Sequence, residues 1–289
     1  MNMKRIANLT ALSFLIAFGA TAQINAPQPS PGGSASAVVG LTNVKIDYFR
    51  PGMKDRKIFG EGSDFLVPFG QVWRTGANSG TIISFDTDVK VAGQDVKAGE
   101  YQIVSIPGAD EWQIMLHSEM IGGNMSNFKE ENVVAKATVK PGKTAGSVER
   151  MTFQISDISA DNTSANIHFE WENTSFKVPV TVEFHEAMMK EIASKTQVNP
   201  QNYTAAANYY LSTGESLELA LEWMDAYLAI DNNSAQFWHI HTKARILAEM
   251  GKKKEALATA NDSMEKAKNW ANGDFGYIKR NQDLIDSLK

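Results

Sequence analysis

The chain has 289 residues, with 28 basic and 33 acidic side chains, a formal net charge of −5 and no cysteine. This length is typical of two domains, and the missing cysteine excludes disulfides, thiolate nucleophiles, cysteine-ligated metal sites and a lipid anchor on an N-terminal cysteine. The acidic balance argues against a nucleic-acid partner, because phosphate neutralisation needs a concentrated basic face.

The first 22 residues have the pattern of a secretory signal peptide. Lys4 and Arg5 precede an apolar stretch over residues 9–18, and small residues lead to a cleavage point after Ala22. The stretch is about half of the roughly 20 residues that cross a bilayer, so no membrane span is expected. We therefore expect an exported, soluble, periplasmic or extracellular protein that is not a lipoprotein. Residues 23–37, rich in Pro, Gly, Ser and Ala, are expected to be a flexible lead-in.

Residues 38–190 are predicted to form an antiparallel β-sandwich or jelly-roll-like domain. Apolar residues recur there with a period of two, which sends alternate side chains to one face of a sheet. Gly- and Pro-rich turns separate the runs, and no long helical pattern interrupts them. The predicted strands cover residues 44–48, 83–85, 89–91, 101–105, 112–116, 133–139, 151–155, 167–171 and 178–184.

The pattern becomes helical after Phe184, so the fold class is α+β multidomain, with an all-α domain over residues 191–289. Asn199-Pro200 and Ser234 are predicted helix starts. The predicted helices cover residues 186–195, 200–212, 216–230, 234–250, 253–270 and 274–288. Residues 210, 214 and 220 correspond to residues 247, 251 and 256, an internal repeat that is similar to a tetratricopeptide repeat with a few residues added.

Several strings in the first domain carry a family resemblance. The main one is Val67-Pro68-Phe69-Gly70-Gln71-Val72-Trp73-Arg74-Thr75-Gly76-Ala77-Asn78, and others are Arg56-Lys57-Ile58-Phe59-Gly60 and Trp171-Glu172-Asn173-Thr174. Over about residues 34–184 the chain resembles a bacterial domain-of-unknown-function family, numbered 2911. The resemblance implies a signal peptide and often a tetratricopeptide-like helical tail, but no activity.

The best candidate ligand site gathers cations and hydrogen-bond donors in the loops around Trp73 and Arg74. Arginine suits bidentate binding of carboxylate or phosphate, and an indole offers a stacking face for a sugar or a cation. An anionic or a carbohydrate ligand would fit. A structural role is the alternative, with Arg74 paired to Asp47 or Glu61. The candidate residues are Tyr48, Arg50, Arg56, Trp73, Arg74, Thr75 and Asn78.

In the helical domain, four side chains are candidates for a concave face that binds a protein or peptide partner, the surface that such repeats commonly use. These are Tyr203, Tyr209, Trp238 and His241.

Motifs for catalysis, metals or cofactors are weak or missing. The five histidines form no His-x-x-x-His string; His168 and Glu170 lie two apart on a predicted strand, which is a weak metal pattern. Gly-x-Ser-x-Gly and the Gly-rich phosphate-binding strings do not occur. We expect no cofactor and no metal. The leading hypothesis is a non-catalytic binding or scaffold module, and the alternative is a secreted hydrolase acting on glycans.

Overall fold

A computed structural model describes residues 26–195 and 199–289. The predicted signal peptide and the start of the lead-in lie outside the described residues. The chain divides into two compact units between Glu183 and Phe184. The predicted boundary after residue 190 is therefore too late, because the first helix of the second unit already begins at His185.

The first unit, the sheet unit, consists of open, mostly antiparallel sheets. Six strands form one sheet in the order β1-β2-β5-β8-β9-β10, four form another in the order β11-β12-β6-β7, and β3 and β4 make a short parallel pair. The strands are β1 Gly32–Val39, β2 Thr42–Phe49, β3 Phe59–Gly60, β4 Val67–Pro68, β5 Thr81–Phe85, β6 Val89–Val91, β7 Gln94–Val96, β8 Gly99–Ile106, β9 Trp112–His117, β10 Val133–Val139, β11 Gly142–Ser156 and β12 Ser164–Val182.

Strand β1 corrects the predicted lead-in, which was expected to be flexible through residue 37. The strand pairs with β2 over its whole length, from Gly32 opposite Phe49 to Val39 opposite Thr42. Its sequence, Gly-Gly-Ser-Ala-Ser-Ala-Val-Val, places small residues on its less exposed face and hydroxyls on the other. This strand therefore forms through backbone pairing at the edge of the sheet, although its sequence does not show the apolar alternation that predicts a strand.

Strand β12 joins two predicted strands, residues 167–171 and 178–184, into one of 19 residues. The polar string Asn173-Thr174-Ser175 between them is not a turn. Glu172 has a φ of +56° and pairs with Val148 beside a shift in register. A bulge of this kind lets a strand bend and continue where a sequence pattern breaks.

Aromatic rings from both large sheets meet in the core of the sheet unit. Tyr48 on β2 lies edge-on to Phe153 on β11 with ring centroids 5.4 Å apart, and Trp112 on β9 lies 5.9 Å from Phe169 on β12. Trp112, Phe153, Phe169 and Trp171 are almost fully buried. Such rings bury large apolar areas and dominate the energetics of a core.

The second unit, the helical unit, contains six α-helices in its described part. They are α1 His185–Lys195, α2 Tyr203–Thr213, α3 Leu217–Leu228, α4 Phe237–Glu249, α5 Lys253–Lys268 and α6 Tyr277–Ser287. Each helix from α2 onward packs against the next one. Ala207, Ala220, Ala244 and Ala256 are fully buried, and such small side chains allow helices to approach closely.

At both predicted helix starts a short 3₁₀ turn precedes the α-helix. Asn199 accepts a hydrogen bond from the Gln201 N–H at 2.9 Å and so caps the short turn before α2. Gly214 ends α2 with a φ of +74°, the left-handed conformation that glycine adopts most easily. Ser234 is not the start of α4, because it lies in a 3₁₀ turn and the helix begins at Phe237.

None of the helices in the described ranges is both long enough and apolar enough to cross a membrane.

Candidate functional site

Residues 69–80, which connect β4 to β5, form the loop that carries Arg74, and we call this segment the Arg74 loop. The backbone of Trp73 pairs with Ser105 on β8 through two hydrogen bonds of 2.8 and 2.9 Å. The Gly70 N–H donates to the Pro107 carbonyl at 2.8 Å. The loop is thus fixed to the large sheet on the side where β8 ends.

The backbone of the Arg74 loop is held in an unusual conformation immediately after Arg74. Thr75 has a φ of +51°, a value that a β-branched residue rarely adopts. Its hydroxyl is buried and bonds to the Ser105 hydroxyl at 2.8 Å, and its carbonyl accepts a hydrogen bond from the Thr81 hydroxyl. A left-handed non-glycine residue costs about 1–3 kcal/mol, so these hydrogen bonds hold the loop in a conformation that it would not adopt alone.

Arg74 is half-buried, and its guanidinium contains a buried donor without a partner in the described part of the chain. Its Nε is buried and has no hydrogen-bond partner among the described residues. No ion pair in this part of the chain includes Arg74. Asp47, a predicted alternative partner, pairs with Lys45 at 2.7 Å instead. Arg74 therefore carries a permanent positive charge that no described side chain neutralises.

Arg74 lines a cavity of about 260 Å³, which we call the Arg74 cavity. Its polar side chains are Arg56, Arg74 and Ser30, and the lining contains no carboxylate or side-chain amide. The other lining residues are Pro51, Leu66, Val67, Trp73, Gly76, Ala77 and Trp171. The cavity combines positive charge with apolar walls, and both features favour an anion that carries an apolar group.

Two indoles form one wall of this cavity. Trp73 and Trp171 are stacked at a centroid distance of 6.0 Å and an interplanar angle of 20°. Phe59 packs edge-on against both, at 5.8 and 5.7 Å. Because Trp171 is only 1% exposed, Trp73 is the indole that presents more surface to a ligand.

Arg56 is the second cation of the cavity, and its orientation is fixed by backbone carbonyls. Its Nε donates to Met53 at 3.0 Å, and one terminal nitrogen donates to Gly52 at 2.6 Å. The side chain is exposed. Arg56 therefore adds positive potential at the cavity and keeps three of its five N–H donors outside these two hydrogen bonds.

The structure brings Arg56, Trp73 and Arg74 of the predicted set together and places the others elsewhere. Tyr48 is buried, with its hydroxyl donating to the Phe153 carbonyl at 3.2 Å. Arg50 donates to the Met151 carbonyl and the Thr152 hydroxyl at 3.2 and 2.8 Å. Thr75 is buried, and its hydroxyl bonds to the Ser105 hydroxyl. Asn78 is exposed, and its side-chain amide lies 3.4 Å from that of Gln28.

Sequence reasoning missed Trp171 as a cavity residue. It belongs to the Trp-Glu-Asn-Thr string that supported the family resemblance, yet its periodic position indicated only core packing. Nothing in the sequence places it beside Trp73, because the contact depends on how β12 passes under the Arg74 loop.

The partner-binding candidates of the helical unit do not share one environment. Tyr203 stacks on Trp223 at 6.3 Å, and the Tyr209 hydroxyl bonds to Nδ1 of His185 at 2.8 Å. Trp238 packs against Phe237 and Trp270. His241 is only 9% exposed and bonds to Asn281 at 2.7 Å, which corrects the expectation of a surface histidine.

Two other groups were considered for chemistry. His168 lies 3.0 Å from the Ser175 hydroxyl and 3.7 Å from a Glu170 carboxylate oxygen. Among the described residues, Glu170 is the one acidic side chain that forms an ion pair with His168. Across residues 26–195 and 199–289, no three histidine, aspartate or glutamate side chains converge as metal ligands would.

Comparison with known protein families gives a match to the sheet unit. Residues 30–180 match the model of a family described as a protein of unknown function, DUF2911. The chain belongs to the DUF2911 family. The match spans the whole lining of the Arg74 cavity, from Ser30 to Trp171, so this cavity is part of the DUF2911 region and the helical unit lies outside it. No curated protein and no solved structure matches the chain.

Proposed function

We propose that the chain is an exported, non-catalytic binding protein that holds a small anionic ligand in the Arg74 cavity. The observation that carries this proposal is the buried Nε of Arg74 without a partner. Leaving a buried donor unsatisfied costs about 1–3 kcal/mol, and more for a charged group. An anion in the cavity would neutralise the positive charge that Arg74 contributes to the lining.

Thermal unfolding of the full chain, with and without added anion, tests the binding proposal. Benzoate and inorganic phosphate are added to a chloride-free buffer, and a ligand that binds only the folded state raises the Tm. We expect at least one of the two anions to raise the Tm of wild-type protein and neither to raise that of Arg74→Met, which keeps an unbranched side chain and removes the charge. Lys140→Gln is the control, because Lys140 is an exposed residue of the sheet unit with the same charge. No rise in wild type, or an equal rise in Arg74→Met, would refute an anion site at Arg74.

The proposal also includes the type of fold of each unit. We infer a β-sandwich from the contacts between rings of the two large sheets, and a tetratricopeptide-like stack from consecutive helix packing with buried alanines.

The helical unit would bind a protein partner through Tyr203, Tyr209 and Trp238, which are only partly buried. Recovery of the same partners from an envelope extract by a chain lacking residues 196–289 would contradict that role.

Export rests on the sequence of the first 22 residues, with cleavage after Ala22. N-terminal sequencing of the mature protein should begin at Gln23. An intact N-terminus on protein isolated from the cytoplasm would contradict this.

Hydrolysis of glycans is the weaker alternative. Most such enzymes place two carboxyl groups on either side of the scissile bond. The Arg74 cavity has no carboxylate in its lining, so its geometry favours binding.

A further inference from the structure

We propose that the ligand of the Arg74 cavity is a monocarboxylate attached to a flat apolar group. This inference rests on the proposed anion-binding function and narrows it to one chemical class. Three features of the cavity support it: the planar guanidinium groups, the nature of the walls and the lack of carboxylate and amide side chains in the lining.

The cations of the site match an anion with a planar head group. Neither Arg74 nor Arg56 has an ion-pair partner among the described residues, and Arg56 directs two of its N–H groups at the carbonyls of Gly52 and Met53. A planar guanidinium fork fits a planar carboxylate through two parallel hydrogen bonds.

The walls of the cavity match an apolar group. Pro51, Leu66 and Val67 line it together with the indole of Trp73. The volume of about 260 Å³ is many times the roughly 30 Å³ that one water molecule occupies in the liquid. An inorganic ion would occupy little of this space, whereas an aromatic ring would fill more of it and contact the indole face of Trp73.

The same lining disfavours a neutral sugar, which was the other ligand class that the sequence left open. Sugar hydroxyls both donate and accept hydrogen bonds, and burying them without partners is costly. The polar lining side chains are two arginines and Ser30, so nearly all the side-chain polar groups are donors.

Isothermal titration calorimetry on the full chain tests the ligand class. The probes are benzoate, acetate, benzamide, inorganic phosphate and methyl β-glucoside. We expect benzoate to bind at least tenfold more tightly than acetate, which lacks the ring, and than benzamide, which lacks the charge. Phosphate and the glucoside should give no measurable heat. Arg74→Met should abolish benzoate binding, and Lys140→Gln should retain it.

The outcomes separate this inference from the proposed function. If phosphate or acetate binds as tightly as benzoate and depends on Arg74, the anion site stands and the ligand class is wrong. Tight binding of the glucoside or of benzamide would also overturn the ligand class. If no anion binds, or if binding survives in Arg74→Met, the proposed function itself fails.

Discussion

Arg50 and Arg74 show how one residue type takes two roles within the sheet unit. Arg50 follows β2 and donates to Met151 and Thr152 on β11, so its guanidinium joins two sheets. Arg74 has no such contact at its buried Nε. A buried donor without a partner lowers stability, and proteins tolerate such features mainly at functional sites. The contrast gives Arg50 a structural role and supports the proposed ligand-binding role of Arg74.

Thr75 supports Arg74 through its hydroxyl, and replacing this group tests the support. Thr75→Val keeps the β-branched shape and the left-handed backbone but removes the hydrogen bond to Ser105. We expect a loss of about 1–3 kcal/mol in the free energy of unfolding, because the buried Ser105 hydroxyl loses this partner. Urea denaturation measures the change. Thr138→Val on the exposed face of β10 is the matched control and should change stability little; equal effects at both positions would refute the support.

At the scale of elements, alternating apolar side chains were a reliable guide where a strand has one buried face. Strands β2 and β5 contain the predicted runs, because their large core residues alternate with more exposed ones. Strand β1 was missed because its inward positions hold glycine and alanine. The sequence predicts two strands where the structure has the single strand β12, because a bulge at Glu172 lets the strand continue across a polar string.

The candidate site was predictable only in part, for a related reason. The loop with Trp73 and Arg74 stands out in the sequence as a cluster of cations and donors. Which neighbours face the cavity depends on strand pairing, which one sequence does not encode locally. Tyr48 and Arg50 face β11, while Trp171 lies beneath Trp73.

A buried polar network joins three helices of the helical unit. His241 on α4 donates from Nδ1 to Asn281 on α6 at 2.7 Å, and Asn281 donates to Ser263 on α5 at 2.8 Å. Ser263 in turn donates to the Phe237 carbonyl at 2.7 Å. Burial lowers the pKa of His241, the positive charges of Arg245 and Arg280 lower it further, and the hydrogen bond to Asn281 opposes this shift.

This shift predicts that acidification weakens the helical unit. Because the pKa of His241 is lower in the folded state than the usual value near 6.5, the unfolded chain binds the proton first as pH falls. The stabilising contribution is present above about pH 6.5 and is lost as pH falls through the lowered pKa. Thermal unfolding between pH 7.5 and 5 measures it.

His241→Gln is the variant that isolates the effect, because its amide can still donate to Asn281 but does not titrate. We expect the variant to lose less stability than wild type over this pH range. His239, whose pKa burial also lowers, titrates in both proteins and leaves a common residual slope. Identical slopes for the two proteins would contradict a role for His241.

At the scale of the whole molecule, the two units divide the proposed functions between them. Every lining residue of the Arg74 cavity lies in the sheet unit, before the division at Glu183. The aromatic candidates for partner binding lie after it. Anion binding and partner binding should therefore be separable by truncation.

A chain that ends at Glu183 tests this separation. We expect it to retain a β-sheet circular dichroism spectrum and the benzoate-dependent rise in Tm, because the core around Trp112 and Phe169 is internal to this unit. A folded truncation that no longer responds to benzoate would show that the helical unit contributes to the site.

The most direct test of the central claim observes the Arg74 guanidinium itself. The Nε–H signal of each arginine can be followed by ¹⁵N nuclear magnetic resonance, and the Arg74 signal is assigned by its loss in Arg74→Met. As benzoate is added to the full chain, this signal should shift and then saturate, while the Nε–H signal of Arg50, already bonded to Met151, should stay in place. An Arg74 signal that does not respond at saturating benzoate would contradict the account.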